Sequence, residues 1–576
     1  PLENGHLSQV SAHLFQLTGA SALALAGNHI RLNQNQDPLS TIDRTSIFQA
    51  FHRFLADADV LQVRGATKLN RQSLGVENGQ TFDSELRIAT DLPQNLDVQK
   101  LHELAGGFAT YFNAPNSTNI QRQTAFAGFA ELYLTDDAIR KLLYAAIVAR
   151  RDESFEGHFL MQDLFLTEWF SDNRKLIAPK HSNTYAGLSD AELLYFDEQL
   201  LMPMLSWVKA HGANTLSERA QTDLAALDSS ASIVRHRVQL LRGDSDDLQL
   251  VLRPGEDGVV KHSALIALRV SQYTPQIVQV PKPLSEPGSM EFAIKLYNAT
   301  RARALVVSGA HFAANIDGSA DVLSMAHKNS LFNLAHQSLL REAQDQPFST
   351  IHVRGIGQRA RVTENADVLV ARRYTSTGEV DLGNEPLWRF LDQQGLRSAM
   401  VDGGWTTWGY ENHFALQSRY IEQSQNKGFW TVWVPPSTRL EQRFQANNRQ
   451  LLAQLTSMGL EPEERSLRDR MLVDRVFAPL SETLEANIRV YQDTFDSVVL
   501  DELLRANDAH HFETLVDRAT QQVYLLVGRD QQSLSGVFLL GAPEGRGRRV
   551  QPTELALVLD EFVQRREPWI VFRSSS

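Results

Sequence analysis

The chain reads as an α/β protein built from two tandem homologous units, each a largely parallel sheet with flanking helices and a helical layer. Three observations predict this. One long segment is written twice in the same polypeptide. Short β-branched runs alternate with segments of helical period, the pattern of strand–helix–strand units. The composition, 43% apolar and 22% charged over 576 residues, is that of a globular chain with ample core.

The repeat carries the most weight. Displaced by 282 positions, residues 1–33 lie on 283–315 without a gap. Ten of the 33 columns are identical, among them Leu14/Leu296, Leu23/Leu305, Gly27/Gly309 and His29/His311. A two-residue insertion moves the offset to 284, where 37–55 matches 321–339 at seven of 19 columns, including Ser46/Ser330, Phe48/Phe332 and His52/His336. At an offset of 299, 196–220 matches 495–519 at ten of 25. Ordinary composition gives roughly one chance identity in sixteen columns, about five in all. The 27 of 77 found are not an accident. Shorter echoes pair Gly106-Gly107-Phe108 with Gly403-Gly404-Trp405, Val238-Gln-Leu-Leu with Val523-Tyr-Leu-Leu, and Pro275-Gln-Ile-Val with Pro568-Trp-Ile-Val. The domains expected are therefore 1–282 and 283–576, head to tail. The period is far too long for a solenoid or propeller.

Along the first unit, a loop and a short helix feed an expected strand at 22–25. In the second unit, 276–280 reads as a strand, 303–308 as a β-branched strand broken by Gly309, and 330–341 as a helix. That helix has one apolar face of Leu331, Leu334, Ala335 and Leu339. The corresponding face in the first unit is Ile47, Ala50, Phe51 and Leu55. Strands follow at 349–353, ended by Arg354-Gly355, at 367–371, and at 429–434, stopped by Pro435-Pro436; a helix at 387–394 lies among them. Residues 137–220 and 437–520 read as mostly helical, and 238–252 and 523–538 as hairpins with Asp, Ser and Gly at their turns. Trp569-Ile-Val-Phe reads as the counterpart of the strand at 276–280. Either the first unit's own copy of that strand lies upstream of Pro1, or the C-terminal strand supplies it.

With 56 basic and 68 acidic residues the net charge is −12, which argues against nucleic acid as the main partner. No apolar run approaches the length of a transmembrane helix. Cysteine is absent, which excludes a thiol nucleophile and a cysteine–zinc site. Its absence, with Pro1 as first residue, fits an exported bacterial protein whose signal peptide has been removed, periplasmic or extracellular. The oligomeric state leaves no mark in the sequence.

Candidate chemistry sits after the strands, because open α/β sheets bind ligands beyond the carboxyl ends of their strands. Both units place Gly-x-His there, followed by Asn33 or Asn315 and Asp37 or Asp321, with Arg64 or Arg354 ending the next strand. Imidazole ligates a metal or moves a proton, and guanidinium grips a carboxylate through a two-pronged fork. The second unit is the richer copy. It adds Asp317, His327 (Asp43 in the first unit) and Glu411 (Ala114), the last beside a loop holding Trp405 and Trp408. His311 and Glu411 are the catalytic candidates. His311, His327 and Asp317 are the metal-ligand candidates, and Arg354, Asp321 and Lys282 the substrate contacts. The competing reading is architectural: the histidines bond loop backbone, the arginines pair with internal aspartates, and His52 and His336 pack helix on sheet. No H-E-x-x-H, G-x-S-x-G, Walker or G-x-G-x-x-G motif is present.

The run IVQVPKPLSEPGS, then AIKLYNATRARALVVSGAH, SADV, SLF and IHVRGIG resembles zinc-dependent amidohydrolases of the N-formylglutamate and poly-γ-glutamate hydrolase type. The resemblance covers about 80 residues of the second unit. It implies a carboxypeptidase-like fold, zinc as cofactor, and hydrolysis of amide bonds. The sequence departs from that pattern where Lys282 stands in place of the first histidine, because a protonated lysine has no free electron pair for zinc.

Two functions follow as expectations. The first is a hydrolase cleaving amide bonds of a peptide-like or cell-envelope substrate, with the first unit in a supporting role. The second is a non-catalytic pair of hydrolase-like domains that binds an envelope component or a protein partner.

Overall fold

Val60, Leu61 and Val63 form a short apolar run, and in the computed structural model of the chain they lie in strand β1 (Val60–Gly65). β1 joins β2 (Leu86–Asp91), β3 (Thr110–Asn113) and β4 (Phe129–Leu134) in a sheet of order β1-β4-β2-β3. β1 is parallel to β4, β4 antiparallel to β2, and β2 parallel to β3. Leu7, Val10 and Leu14 recur at helical spacing on α1 (Leu7–Thr18). They pack with Ile139, Leu142 and Leu143, which lie beyond α2 (Ile47–Phe54) on α3 (Asp136–Val148), and with Leu132 and Leu134 of β4. The structure describes residues 7–25, 47–55, 57–65, 86–91, 110–113, 120–148, 157–211, 216–243, 247–255, 262–325, 327–356, 366–372, 384–401, 410, 415–422, 424, 426–467, 475–494, 497–505, 510–518, 520–542, 547–565 and 567–572.

By packing, the chain divides into one unit of Pro1–Glu156 with Leu188–Glu198 and another of Gly157–Gly187 with Gln199–Ser576. This is a different cut from the sequence repeat. In the first, residues 22–25 are not the expected strand: Leu23 and Leu25 are exposed, and among the described residues no strand pairs with them. The expected apolar face of α2 is also not the buried one. Gln49 and His52 are buried while Ile47 and Phe51 face solvent, because His52 Nε2 bonds the Gln121 carbonyl at 2.8 Å.

The larger unit holds β5 (Met161–Asp163), β6 (His236–Arg242), β7 (Leu248–Pro254), β8 (Leu265–Arg269), β9 (Thr274–Val280), β10 (Ala302–Val307), β11 (Phe348–Gly355), β12 (Val368–Arg372), β13 (Ser398–Met400) and β14 (Lys427–Val434). They make one ten-stranded sheet of order β13-β12-β14-β11-β9-β10-β8-β7-β6-β5. The block β14-β11-β9-β10 is parallel. The sheet as a whole is mixed, not largely parallel as the alternation of elements suggested. β6, β7 and β8 follow one another through short connections that can only return the chain antiparallel, and β12 runs against β14.

Val278, Val280, Val307, Ile351, Val353 and Val432 point to one face of this sheet. Trp169 and Phe170 on α4 (Leu166–Asp172), Phe292 and Leu296 on α5 (Ser289–Thr300) and, further along the chain, Phe390 cover them. Losing a ring such as Phe292 from this core costs about 3–5 kcal/mol. The opposite face sets polar residues among apolar ones such as Ile277 and Val306. There α6 (Leu331–Ala343) lays His336 against Gln279 of β9, which alternates with Val278 and Val280. Phe390 belongs to α7 (Glu385–Gln393), and α8 (Leu416–Tyr420) follows.

After α9 (Pro436–Ser457) come β15 (Glu463–Arg465), β16 (Val476–Phe477), β17 (His511–Asp517), β18 (Val523–Gly528), β19 (Ser533–Leu534), β20 (Gly536–Leu539), β21 (Arg548–Val550) and β22 (Trp569–Phe572), with α10 (Leu555–Arg565) before the last. Six form a sheet of order β15-β17-β18-β20-β22-β21, and β16 pairs with β19. Read from β21 the order is β21-β22-β20-β18-β17-β15. Every junction has the same sense as in β9-β10-β8-β7-β6-β5. In the same way β1-β4-β2-β3 matches β11-β14-β12-β13 junction by junction.

This order corrects the C-terminal sequence pairings. β22 lies between an antiparallel and a parallel neighbour, the place of β10, not of β9 as the Pro568/Pro275 echo suggested. Val238 and Val523 lie in strands one place apart in the order. The match of 196–220 with 495–519 sets β17 against residues 212–218, well before β6, its counterpart in the strand order. Side-chain similarity there does not track strand position, because apolar strands of one sheet resemble each other whatever their place.

Candidate functional site

β9 leads into α5 on one face and β10 leads towards α6 on the opposite face. Adjacent parallel strands whose connections leave to opposite faces open a crevice at their carboxyl ends. Lys282 follows β9, Gly309 and His311 follow β10, and Arg354 and Gly355 end β11. Gly309 is required by close approach: a Cβ there would lie 2.1 Å from the Ser263 carbonyl oxygen.

His311 is held on both sides. Its backbone N–H donates to the Ala178 carbonyl at 2.8 Å, and its Nδ1 accepts the Ala313 N–H at 3.0 Å. That bond leaves the neutral ring its proton on Nε2. Burial lowers the proton affinity of the ring, and the nearby charges of Lys180, His181 and Lys282 lower it further.

Lys282 sets its ammonium 4.4 Å from the centre of the Phe312 ring, a cation–π contact. Burial pushes its pKa down, as does Arg354, while Asp321 and Glu286 act in the opposite sense. No carboxylate lies within ion-pair distance of Lys282 among the described residues.

Arg354 already has a carboxylate. Its Nε and Nη2 donate to Glu286 Oε1 at 3.1 and 3.0 Å, and Gly355 N–H donates to Glu286 Oε2 at 2.6 Å. Its guanidinium lies 4.7 Å from the Trp433 ring centre. The fork assigned to a substrate carboxylate is thus filled from within the chain. In the smaller unit Arg64 likewise meets Glu131 at 3.3 Å and the Tyr133 hydroxyl at 2.8 Å. Both partners are glutamates, where aspartates were expected.

Asp321 accepts the Leu323 N–H at 3.1 Å. Asp317 is exposed. It accepts the Ser319 hydroxyl at 2.7 Å and N–H at 2.9 Å; these bonds, the hydroxyl first, hold its carboxyl below the usual range, and His327 nearby adds to the effect. Lys282, His311, Arg354 and Asp321 therefore gather at one crevice, and Asp317 and His327 lie near each other on the following loop. Among the described residues no three of His, Asp or Glu come together as a metal site. Glu411, Asp402–Gly409 with both loop tryptophans, and His29, Asn33, Asp37 and Asp43 lie outside the described residues.

One part of the site has no motif. Residues 177–187 run along the loop after β10 as a strap. Ala178 N–H donates to Gly309 O, His181 N–H to Ala313 O and Asn183 N–H to Ala314 O, each at 2.9 Å. Asn315 Nδ2 reaches back to the Tyr185 carbonyl at 2.8 Å. His181 and Asn183 take left-handed backbone (φ 59 and 54) to make the strap fit. Burial lifts the Tyr185 hydroxyl to about 12. The strap delivers Lys180 and His181 to the surroundings of His311. Its one sequence signal is turn chemistry in Pro179-Lys-His-Ser-Asn.

No family model, curated protein or solved structure matches the chain.

Proposed function

We propose that the crevice at the carboxyl ends of β9, β10 and β11 binds a carboxylate-bearing ligand, peptide-like or derived from the cell envelope. One observation carries this reading: Lys282, desolvated over Phe312, shares the surroundings of His311 with Lys180 and His181 and, among the described residues, has no carboxylate within ion-pair distance. A partly buried cation whose nearest carboxylates stand beyond ion-pair distance is costly, and an anionic ligand reduces the cost. Arg354 and Glu286 frame the crevice, because their charges are spent on each other. In this reading the chain is a binding module of two hydrolase-like repeats. The matching strand orders of its sheets support the repeat, and its cysteine-free composition supports an exported location.

The test is calorimetric titration with a panel of short acidic peptides against wild type and Lys282→Met. Saturable binding lost in the variant supports the reading. Equal binding by both proteins, or none by either, removes it.

Amide hydrolysis is the second reading. It is favoured by His311, whose lowered proton affinity keeps the imidazole neutral near pH 7, the form that accepts a proton or ligates zinc. Among the described residues no three such donors assemble around a metal. Metal content of the purified protein beside His311→Ala tests it: about one zinc per chain, lost in the variant, would favour the hydrolase.

A further inference from the structure

Among the described residues burial lowers the proton affinity of three lysines, Lys282, Lys295 and Lys427. Two of them donate to fixed acceptors. Lys295 Nζ reaches Gln442 Oε1 at 3.0 Å, and Lys427 Nζ reaches the Gln344 and Gln346 carbonyls at 2.6 and 2.5 Å. Acceptors so placed favour the ammonium form, whose three N–H groups all donate. Lys282 differs. Among the described residues no oxygen stands within hydrogen-bond distance of its Nζ, which lies against the face of the Phe312 ring. The Arg354 guanidinium adds a like charge nearby, while Asp321 and Glu286 act in the opposite sense. The backbone beneath the amine is stiff: Lys282 stands between buried Pro281 and Pro283, and its carbonyl accepts the Glu286 N–H at 3.1 Å. The side chain is half-buried, so a small molecule can reach it.

A lysine becomes a nucleophile when desolvation and a neighbouring cation favour its neutral form. We propose that Lys282 is a nucleophilic amine that forms an imine with the carbonyl carbon of a small aldehyde entering the crevice. The lone pair of Nζ attacks the carbonyl carbon and an N–C bond forms. The carbonyl oxygen takes up both amine protons and leaves as water, and C=N remains; nothing is oxidised or reduced. This covalent chemistry goes beyond the binding of an anion and does not rest on it.

The test is competitive labelling of the wild-type protein at pH 7 with acetaldehyde, which carries no charge, and sodium cyanoborohydride, whose hydride traps the imine as an N-ethyl group. Peptide mapping reads the label at each lysine. At less than one adduct per chain the label is expected mainly on Lys282, ahead of half-buried Lys295 and of exposed Lys175 and Lys180. Protein unfolded in urea should lose that preference, and Lys282→Arg with wild-type circular dichroism should lose the labelled peptide. Labelling of Lys282 no faster than of Lys175 and Lys180 overturns the proposal. So does a preference that survives unfolding, which would belong to the Pro-Lys-Pro sequence and not to the crevice. Because acetaldehyde has no carboxylate, either result leaves the anion reading to be decided by its own titration.

Discussion

His336 and His352 share a single acceptor: His336 Nδ1 and His352 Nε2 each lie 3.1 Å from Gln279 Oε1. One oxygen serving two rings makes both rings donors and selects a tautomer for each. Both are fully buried, His336 on α6 and His352 on β11. Burial pushes His336 down to about 3 and His352 well below its ordinary 6.5.

The pH dependence follows from the sign. Both histidines bind protons less well folded than unfolded, so their contribution is complete above the unfolded pKa near 6.5 and is lost as pH falls below it, for His336 down to about 3. The neutral His336 ring adds a slope of about 1.4 kcal/mol per pH unit in that window. For His336 this is roughly 2 kcal/mol between pH 6.5 and 5. Urea unfolding at pH 7, 6 and 5 is expected to show the loss, and His336→Phe to flatten it. A variant as acid-labile as wild type would sink the account.

Glu286 joins Arg354 and the Gly355 N–H. Glu286→Ala leaves a partly buried guanidinium and an amide without partners, with an expected cost of about 3–5 kcal/mol. Glu286→Gln keeps one acceptor and should cost less. Thermal unfolding of the two variants gives the order; equal losses would mean the pair is not what holds this corner.

Gly309 and Gly318 separate two reasons for glycine. At Gly309 an added methyl meets the Ser263 carbonyl, whereas Gly318 has φ +74 and open space around it. Gly309→Ala is expected to cost more than about 3 kcal/mol or to prevent folding. Gly318→Ala should cost about 1 kcal/mol, the strain of left-handed backbone alone. Chemical denaturation ranks them, and a mild Gly309→Ala would contradict the close approach.

Lys282→Met is expected to raise the pKa of His311, since a neighbouring positive charge no longer opposes protonation. Histidine NMR titration reads this directly. The same variant should be more thermally stable without ligand, because the desolvated charge is gone. An unmoved His311 titration would mean that the two groups are not electrostatically linked.

The strands at the centre of the larger unit and helix α6 were legible because their signals are local. Val-rich runs mark β9, β10, β11 and β14, and the Leu331–Leu339 spacing marks α6. The Gly309-x-His311 element was placed for the same reason: a glycine breaking an apolar run marks the end of β10. The strand at 22–25 failed because its apolar run has no strand neighbour among the described residues, and α2 failed because a buried hydrogen bond overrode its apolar spacing.

By itself the sequence determined the α/β class and the place of the central strands, and it singled out Lys282, His311, Asp321 and Arg354 as candidates. These depend on residue period and on punctuation by glycine and proline. Tertiary structure alone decided which strands run antiparallel, that Glu286 takes Arg354 across 68 positions, and that the strap from 177–187 reaches the loop after β10, as in the Asn315–Tyr185 bond across 130 positions. Pairings between segments so far apart leave no period in the chain. They are selected when the sheet closes, by which buried charge and which open backbone group finds a partner.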